Sequence, residues 1–265
     1  MKAIICKNEK KKDDRSSEAI AEVQKKLHEY GIESVLGNIC ADCDLVIAVG
    51  GDGTILHHGK AAARLNLPLL GINTGRLGFM TTLEVSELDK LELLKSGNWQ
   101  TCPRMMLDVE IGGERLLALN DVVFLKDINS KLPEYKVSAD GAIISELRAD
   151  GLILSTPTGS TAYALSAGGP IIEPWLDCIE LTPMCAHSLF NRPVILSAEN
   201  PLTVHFDGND DSHSVFVSVD GGRGIEFKAG EKAVIRKSAL RLSLINLGGR
   251  SFHAAVSNKL MKSIK

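Results

Sequence analysis

No run of apolar residues in this chain is long enough to cross a bilayer. The longest, such as Leu45-Val46-Ile47-Ala48-Val49, fall far short of the ~20 residues that a spanning helix needs. Positive charge is not in excess either: the net charge is −3 over 265 residues, so no basic footprint points to nucleic acid. The start, MKAIICKNEKKKDDR, has one short apolar run followed by charges and reads as a first strand rather than a secretion signal. There is no internal repeat and no low-complexity linker. The spacing Cys40-Ala-Asp-Cys43 has no second CxxC and no paired histidine motif to complete a zinc set, and it reads as a reduced structural pair. Six scattered cysteines, several in apolar contexts, together with that start favour a reducing cytoplasm.

With 44% hydrophobic and 24% charged residues, the composition is ordinary for a globular protein of one large or two smaller domains. The first part alternates strand and helix. Ala3 to Cys6, Leu45 to Val49 and Leu69 to Ile72 read as strands. Ser17 to Tyr30 reads as a helix, with Ile20, Val23, Leu27 and Tyr30 at helical spacing and Gly31 past its end. Thr54 to Leu65 continues as helix, and Ser86 to Leu94 follows with a Ser86…Asp89 capping pattern. This alternation predicts a parallel sheet with right-handed crossovers. From Trp99 onward, short strands are separated by turn residues. Gly112-Gly113, Ala139-Asp140-Gly141 and Asp220-Gly221-Gly222 are expected hairpin turns, and 215–219 and 240–244 expected strands. The expected organisation is an α/β domain over 1–98, a β-rich, sandwich-like domain over 99–249, and a tail over 250–265. The charged run 8–15 and the acidic stretch 206–214 are expected to be solvated loops.

Two stretches carry chemistry. Val49-Gly50-Gly51-Asp52-Gly53-Thr54 follows a strand and opens a helix, the place where open α/β sheets bind ligands. Bare backbone amides at a helix start suit phosphate, and the same pattern also serves as a plain tight turn with an Asp cap. A carboxylate among such amides hinders anion binding. It makes sense if a hydroxyl must attack phosphorus there and needs a group to orient it and take its proton. The second stretch is Asp150-Gly-Leu-Ile-Leu-Ser155-Thr156-Pro157-Thr158-Gly159-Ser160-Thr161-Ala162-Tyr163-Ala-Leu-Ser166. Its hydroxyls could bond a nucleotide base and ribose, and Tyr163 could cover a ring. A polar loop rich in caps is the other reading.

Taken together, these residues resemble the NAD kinase family. The matching motifs are GGDGT at 50–54, GINTGRLGF at 71–79, ALND at 118–121, DGLILSTPTGSTAYALSAGGPI at 150–171, LTPMCAHSLFNRP at 181–193 and VSVDG at 217–221. GGDGT alone is shared with diacylglycerol and sphingosine kinases. The TPTGSTAY block looks particular to NAD kinases.

The resemblance implies transfer of the γ-phosphate of ATP, or in some members of polyphosphate, to the 2′-hydroxyl of the adenosine ribose of NAD. A divalent cation, Mg²⁺, is needed. Asp52 would accept the proton, with Gly53 beside it close to substrate and phosphates, and His57 near a phosphate. Phe79 would wall the adenine side. Asn120 and Asp121 would hold ribose hydroxyls, Asp121 standing where many members have the longer Glu. Thr161, Ala162, Tyr163 and Ser166 would recognise adenine and nicotinamide. Arg148, Asp150 and Ala186 would reach a dinucleotide in part across a subunit boundary. No residue is singled out as a metal ligand. The resemblance also implies a homodimer or homotetramer, and a C-terminal segment returning to the first domain. It departs from the family at Gly221-Gly222-Arg223, where many members carry a Gln or His that touches the substrate. That contact is lost here, or Arg223 replaces it. A lipid or other small-alcohol kinase sharing GGDGT, and a dinucleotide-binding sensor without turnover, are the competing readings.

Overall fold

The computed structural model describes residues 1–7, 14–75, 78–97, 99–187, 191–207, 214–248 and 251–262. Asn98, Arg76 and Leu77, residues 188–190, and most of the two expected solvated loops lie outside them. The chain forms two compact units, one of Met1–Arg104 with Arg241–Lys265 and the other of Met105–Leu240.

The first unit begins with β1 (Lys2–Lys7), α1 (Asp14–Glu29), β2 (Glu33–Leu36), β3 (Leu45–Val49), α2 (Asp52–Arg64), β4 (Leu69–Asn73) and β5 (Leu83–Glu84). The strands β2-β1-β3-β4 lie side by side in that order, every pairing parallel. β3 and β4 are buried along their whole length, which is why their sequences run apolar without alternation. The chain goes from β1 to β2 on one side and then places β3 on the other side of β1. This reversal of direction opens a crevice at the carboxyl ends of β1 and β3, and the GGDGT turn leaves from β3 at that point. α1 buries Ala19, Ile20, Val23 and Leu27 against the sheet core, and Gly31 follows in the left-handed region at φ +71°. The helix starts at Asp14, three residues before the expected Ser17.

The turn-rich stretch Val85–Ser96 is wound more tightly than an α-helix and is kinked at Glu87. Its capping box is formed by Glu84 and Glu87, not by Ser86 and Asp89. Asp89 instead takes a hydrogen bond from Lys26 at 2.7 Å, so an ion pair with α1 claims the side chain that the local pattern assigned to a cap.

The second unit contains β6 (Gln100–Ile111, which begins in the first unit), β7 (Glu114–Ala118), β8 (Asp121–Lys126), β9 (Glu134–Ala139), β10 (Ala142–Arg148) and β11 (Gly151–Ser155). Then come α3 (Tyr163–Ser166), β12 (Cys178–Met184), β13 (Val194–Ser197), β14 (Leu202–Asp207), β15 (Val215–Val219), β16 (Ile225–Phe227) and β17 (Ala233–Asn246). One sheet is wholly antiparallel, in the order β13-β12-β11-β8-β15-β16. The other carries β10-β9-β14 and the first part of β17. Phe124 and Phe227 from the first sheet meet Tyr135 and Phe206 from the second, with ring centroids 5.4 to 6.5 Å apart. This fully buried aromatic group centres the sandwich core. All three expected hairpin turns occur, between β6 and β7, β9 and β10, and β15 and β16.

β17 pairs with β14 through Leu202↔Ile235 and its neighbours, then runs on to pair in parallel with β4 at Leu244↔Leu69. The last helix, α4 (Phe252–Lys262), belongs to the first unit. Among the described residues, no helix is long and apolar enough to cross a membrane.

Candidate functional site

The turn after β3 fixes a carboxylate. Gly50 has φ +149° and donates its N–H to the Ile72 carbonyl at 2.8 Å. A Cβ there would collide with Thr54 Oγ1 and stand 3.1 Å from Thr54 Cβ, so this position requires glycine. α2 then starts at Asp52 itself, two residues earlier than the periodicity suggested. Its carboxylate sits at the positive end of the helix dipole.

Asp52 does not face an open cradle of amides. It is gripped from outside the helix: Phe79 N–H donates to Oδ2 at 2.7 Å, and Met80 and Thr81 N–H donate to Oδ1 at 3.0 and 3.3 Å. Gly78 lies against the carboxylate so closely that a Cβ would overlap Oδ1 and Cγ. A carboxylate offers about four lone-pair sites, and these amides occupy two on Oδ1 and one on Oδ2. The site left over is on Oδ2. This resolves the oddity of a carboxylate in a phosphate-type loop: the backbone at 79–81 holds it in place with one acceptor position open.

Gly53 is exposed beside it. His57, one turn along α2, is exposed and packs edge-on against His58 at 4.7 Å between ring centroids. Phe79 contributes its backbone to the grip. Its ring meets Phe252 of α4 at 6.3 Å.

In the second unit, register does the assembling. Asp121 at the start of β8 pairs with Ser155 at the end of β11, and Val122 pairs with Val219 at the end of β15. Three loops therefore leave one edge of the sheet together: 119–121, 156–161 and 220–222. Asp220, at φ +53°, turns back and takes N–H bonds from Leu119, Asn120 and Asp121 at 2.9, 2.7 and 3.1 Å. This second aspartate grips three consecutive amides just as Asp52 does. The sequence reading placed Asp220 in a hairpin turn and in the VSVDG match but gave it no role; an Asp directly after strand 215–219 and before two glycines was the available signal.

Thr156 N–H bonds the Asn120 carbonyl at 2.8 Å, and its hydroxyl donates to the Leu119 carbonyl at 2.6 Å. Gly159 presses on the Asn120 backbone, and a side chain there would overlap it. Asn120 Oδ1 and Thr158 Oγ1 are buried without a hydrogen-bond partner. Buried polar atoms are rarely left so, and two on adjoining loops suit a ligand carrying hydroxyl or amide groups. Thr161 and Ala162 are half-buried, while Tyr163 and Ser166 are exposed on α3.

Under these loops lies Glu180, fully buried on β12. Ser155 and Thr182 donate to it at 3.1 and 2.7 Å. Burial pushes its carboxyl pKa up, against the pull of those two hydroxyl donors.

Arg148, Asp150 and Ala186 stand elsewhere. Asp150 precedes the start of β11, whose far end carries Ser155. Five residue steps of strand, about 16 Å, therefore separate it from the Asn120 cluster. Arg148 bonds Glu134 through Nε and Nη2 at 3.2 and 3.0 Å. Asp150 lies 3.7 Å from the Lys126 ammonium. Ala186 is half-buried against the sandwich core. The expected binding residues of this unit thus fall into two clusters at opposite ends of one strand. Arg223 is exposed and pairs with Glu114 at 3.1 Å.

A family model described as the ATP-NAD kinase N-terminal domain matches residues 2–93, and one described as the ATP-NAD kinase C-terminal domain matches residues 119–247. The chain is similar to the NAD kinase of Geobacter sulfurreducens, 38% identical over 223 residues that make up 82% of this chain and 78% of the relative. It is similar to that of Gemmatimonas aurantiaca, 40% identical over 82% of this chain and 77% of the relative. Among solved structures, yeast NADH kinase complexed with NADH matches in fold with a TM-score of 0.83, 23% identity, and coverage of 99% of this chain and 87% of that one. An NAD kinase from Archaeoglobus fulgidus in complex with ATP matches with a TM-score of 0.74, 27% identity, and coverage of 94% of each chain. The two domain models in succession and the curated relatives, together with the gripped aspartate of the GGDGT turn, place this chain in the NAD kinase family.

Proposed function

We propose that this NAD kinase transfers the γ-phosphate of ATP to the 2′-hydroxyl of the adenosine ribose of NAD, giving NADP and ADP, with Asp52 as the proton acceptor. The observation that carries this reading is the grip on Asp52: three amides on the carboxylate and one free position on Oδ2. A sugar hydroxyl donating to Oδ2 would have its oxygen lone pairs directed away from the carboxylate, toward phosphorus. As the new O–P bond forms and the bond to ADP breaks, the proton passes to Oδ2. A base held in this way typically contributes ~10²–10⁴-fold.

Asn120, Asp121 and Thr158 are the groups we assign to the dinucleotide's hydroxyls. The unpartnered Asn120 Oδ1 and Thr158 Oγ1 support this. Thr161, Ala162, Tyr163 and Ser166 would line its rings, and the exposed Tyr163 can stack. Gly53 and His57 would lie toward the phosphates.

ATP as donor is supported by the ATP complex of the Archaeoglobus fulgidus relative. Among the described residues, no group of three or more His, Cys, Asp or Glu could hold a metal ion. We assign the divalent cation to the donor substrate, carried as Mg·ATP on the phosphates and water, as Mg²⁺ commonly is. Arg148, Asp150 and Ala186 sit at the wrong end of β11 to join Asn120 within one chain. We assign them to the dinucleotide bound by a second copy, in a homodimer or homotetramer. The six free cysteines suit a reducing cytoplasm.

One coupled assay tests the reading. Formation of NADP from NAD, or of NADPH from NADH, is measured against Mg·ATP or polyphosphate, alongside a diacylglycerol substrate. NADP formation that collapses in Asp52→Asn is the expected result. Phosphorylation of the lipid alone would assign the chain to the rival kinases, and NAD binding by calorimetry without product would assign it to a sensor. Sedimentation analysis of the purified enzyme gives the copy number, and a monomer would remove the role given to Arg148 and Asp150.

A further inference from the structure

Glu180 is fully buried, and the phosphoryl transfer described above makes no use of it. Register sets its neighbours. Glu180 on β12 pairs with Ser155 on β11, and Ser155 pairs in turn with Asp121 on β8. Cross-strand partners share a face, so Asp121, Ser155 and Glu180 stand in one row. The alternate residues Val122, Leu154, Ile179 and Leu181 point the other way, into the sandwich core.

Two hydroxyls and one stretch of backbone close on this carboxyl. Ser155 donates to Oε2 at 3.1 Å, and Thr182 donates to Oε1 at 2.7 Å. Gly169 lies against Oε1 so closely that a Cβ there would overlap it and stand 3.0 Å from Cδ. Ser155 is the last residue of β11. Gly169 stands just past α3, its N–H bonded to the Ala164 carbonyl at 2.9 Å. One side chain therefore meets both ends of the segment 155–169, and Thr161, Ala162, Tyr163 and Ser166 lie between those ends. The segment is also tied to itself and to the sheet. Ser160 Oγ takes the Ile172 N–H at 3.0 Å and donates to the Pro157 carbonyl at 2.8 Å. Ala164 packs with Val123 and Ile153. An apolar side chain of similar volume would fill the place of Glu180 without the cost of burying a carboxyl. It would not supply the two acceptor oxygens that Ser155 and Thr182 use.

We propose that Glu180 is a positioning residue for the dinucleotide, fixing both ends of segment 155–169 so that residues 161–166 are presented to the bound rings. This rests on the assignment of those residues to NAD. Glu180 acts through the segment, not by contact with substrate. Asp52 belongs to the other compact unit, so the effect falls on NAD binding and not on the rate of transfer.

The test uses the full-length enzyme with Glu180→Leu, Glu180→Gln, Ser155→Ala and Tyr163→Ala. Calorimetry gives the Kd of NAD and of Mg·ATP, and steady-state kinetics give kcat and both KM values. Glu180→Leu should raise the Kd and KM of NAD by about tenfold or more, the loss of two buried hydrogen bonds, while kcat and the KM of ATP stay near wild type. Glu180→Gln keeps the shape and one acceptor oxygen, and the hydroxyls can rotate to meet its amide; it should recover most of the loss. Ser155→Ala should weaken NAD in the same direction, and adding it to Glu180→Leu should cost little more, as expected for groups acting as one unit. A role in stability alone would lower the melting midpoint of Glu180→Leu and leave the Kd of NAD unaltered, which would overturn the proposal. An equal loss for NAD and ATP would overturn it too. If Glu180→Leu does not fold, Ser155→Ala decides, and an unchanged Kd of NAD there refutes the clamp. Tyr163→Ala keeps the two readings apart. Weakened NAD binding in Tyr163→Ala with unaltered binding in Glu180→Leu removes the clamp alone, whereas unaltered binding in Tyr163→Ala removes the ring assignment and the clamp with it. Because binding is read without turnover, wild-type enzyme that bound NAD but made no NADP would count against the phosphotransferase reading alone.

Discussion

Gly78→Ala should disable the enzyme without removing any group that does chemistry. A Cβ on Gly78 would overlap Oδ1 and Cγ of Asp52 and lie 2.7 Å from Oδ2. Ordinary contact begins several tenths of an ångström beyond that, so the carboxylate must withdraw by about 1 Å. It has no slack to do so. The Phe79, Met80 and Thr81 amides hold it at 2.7, 3.0 and 3.3 Å, and a move of about 1 Å takes at least two of them out of hydrogen-bonding range. Each such bond to a charged group is worth ~1.5–3 kcal/mol, and part of this returns through water because Asp52 is half-exposed. A net loss of about 1–3 kcal/mol in stability follows. The kinetic effect is larger, since misplacing a reacting group by about 1 Å can cost ~10²-fold. We expect kcat to fall by about that factor, while the dissociation constant of NAD, measured by calorimetry, changes little. Gly75→Ala is the control, because a Cβ at Gly75 meets nothing within 4 Å and should leave the rate near wild type. A Gly78→Ala enzyme with full kcat would show that the carboxylate need not stand where the amides hold it, and the assignment of Oδ2 would fail.

Asp220→Asn should weaken NAD at least tenfold, read as Kd, because an amide nitrogen must then face one of the three N–H groups of Leu119, Asn120 and Asp121; an unchanged Kd would remove Asp220 from the site. Gly159→Ala should do the same, since its new methyl meets the Asn120 backbone rather than a movable side chain. Glu180 gives a pH signature. Its folded pKa is raised by burial, so the stability it adds is complete below the unfolded value of about 4.3 and is lost as pH rises through the folded pKa. Glu180→Gln cannot titrate, and the hydroxyls of Ser155 and Thr182 can rotate to suit an amide. The wild-type minus variant difference in urea midpoint should therefore fall as pH rises from 4 to 8, and a flat difference would refute the account.

Local chemistry was legible wherever it was local. The apolar runs 45–49 and 69–72 could bury only in the middle of a parallel sheet, and they do. Gly31, Gly112-Gly113 and Asp220-Gly221-Gly222 marked the turns that the chain takes. Asp52 and Asn120 stood out because a carboxylate in a glycine turn, or an Asn-Asp at a strand start, asks for a reason. Where local pattern misled, a distant partner had intervened: Lys26 took Asp89 away from the cap expected at Ser86, and the backbone ladder began α2 at Asp52 rather than Thr54.

The sequence by itself determined the parallel and antiparallel halves, the family and the residues worth suspecting, because each follows from neighbours within a few positions along the chain. Tertiary structure alone decided that residues 79–81 grip Asp52, that Asp220 holds a backbone about a hundred residues away, and that β17 carries the chain back to β4. It also decided that Arg104 is buried without a partner for its Nε. Hydrogen-bond acceptors and buried charges are satisfied or left wanting by whatever the fold brings near, and sequence separation has no bearing on that.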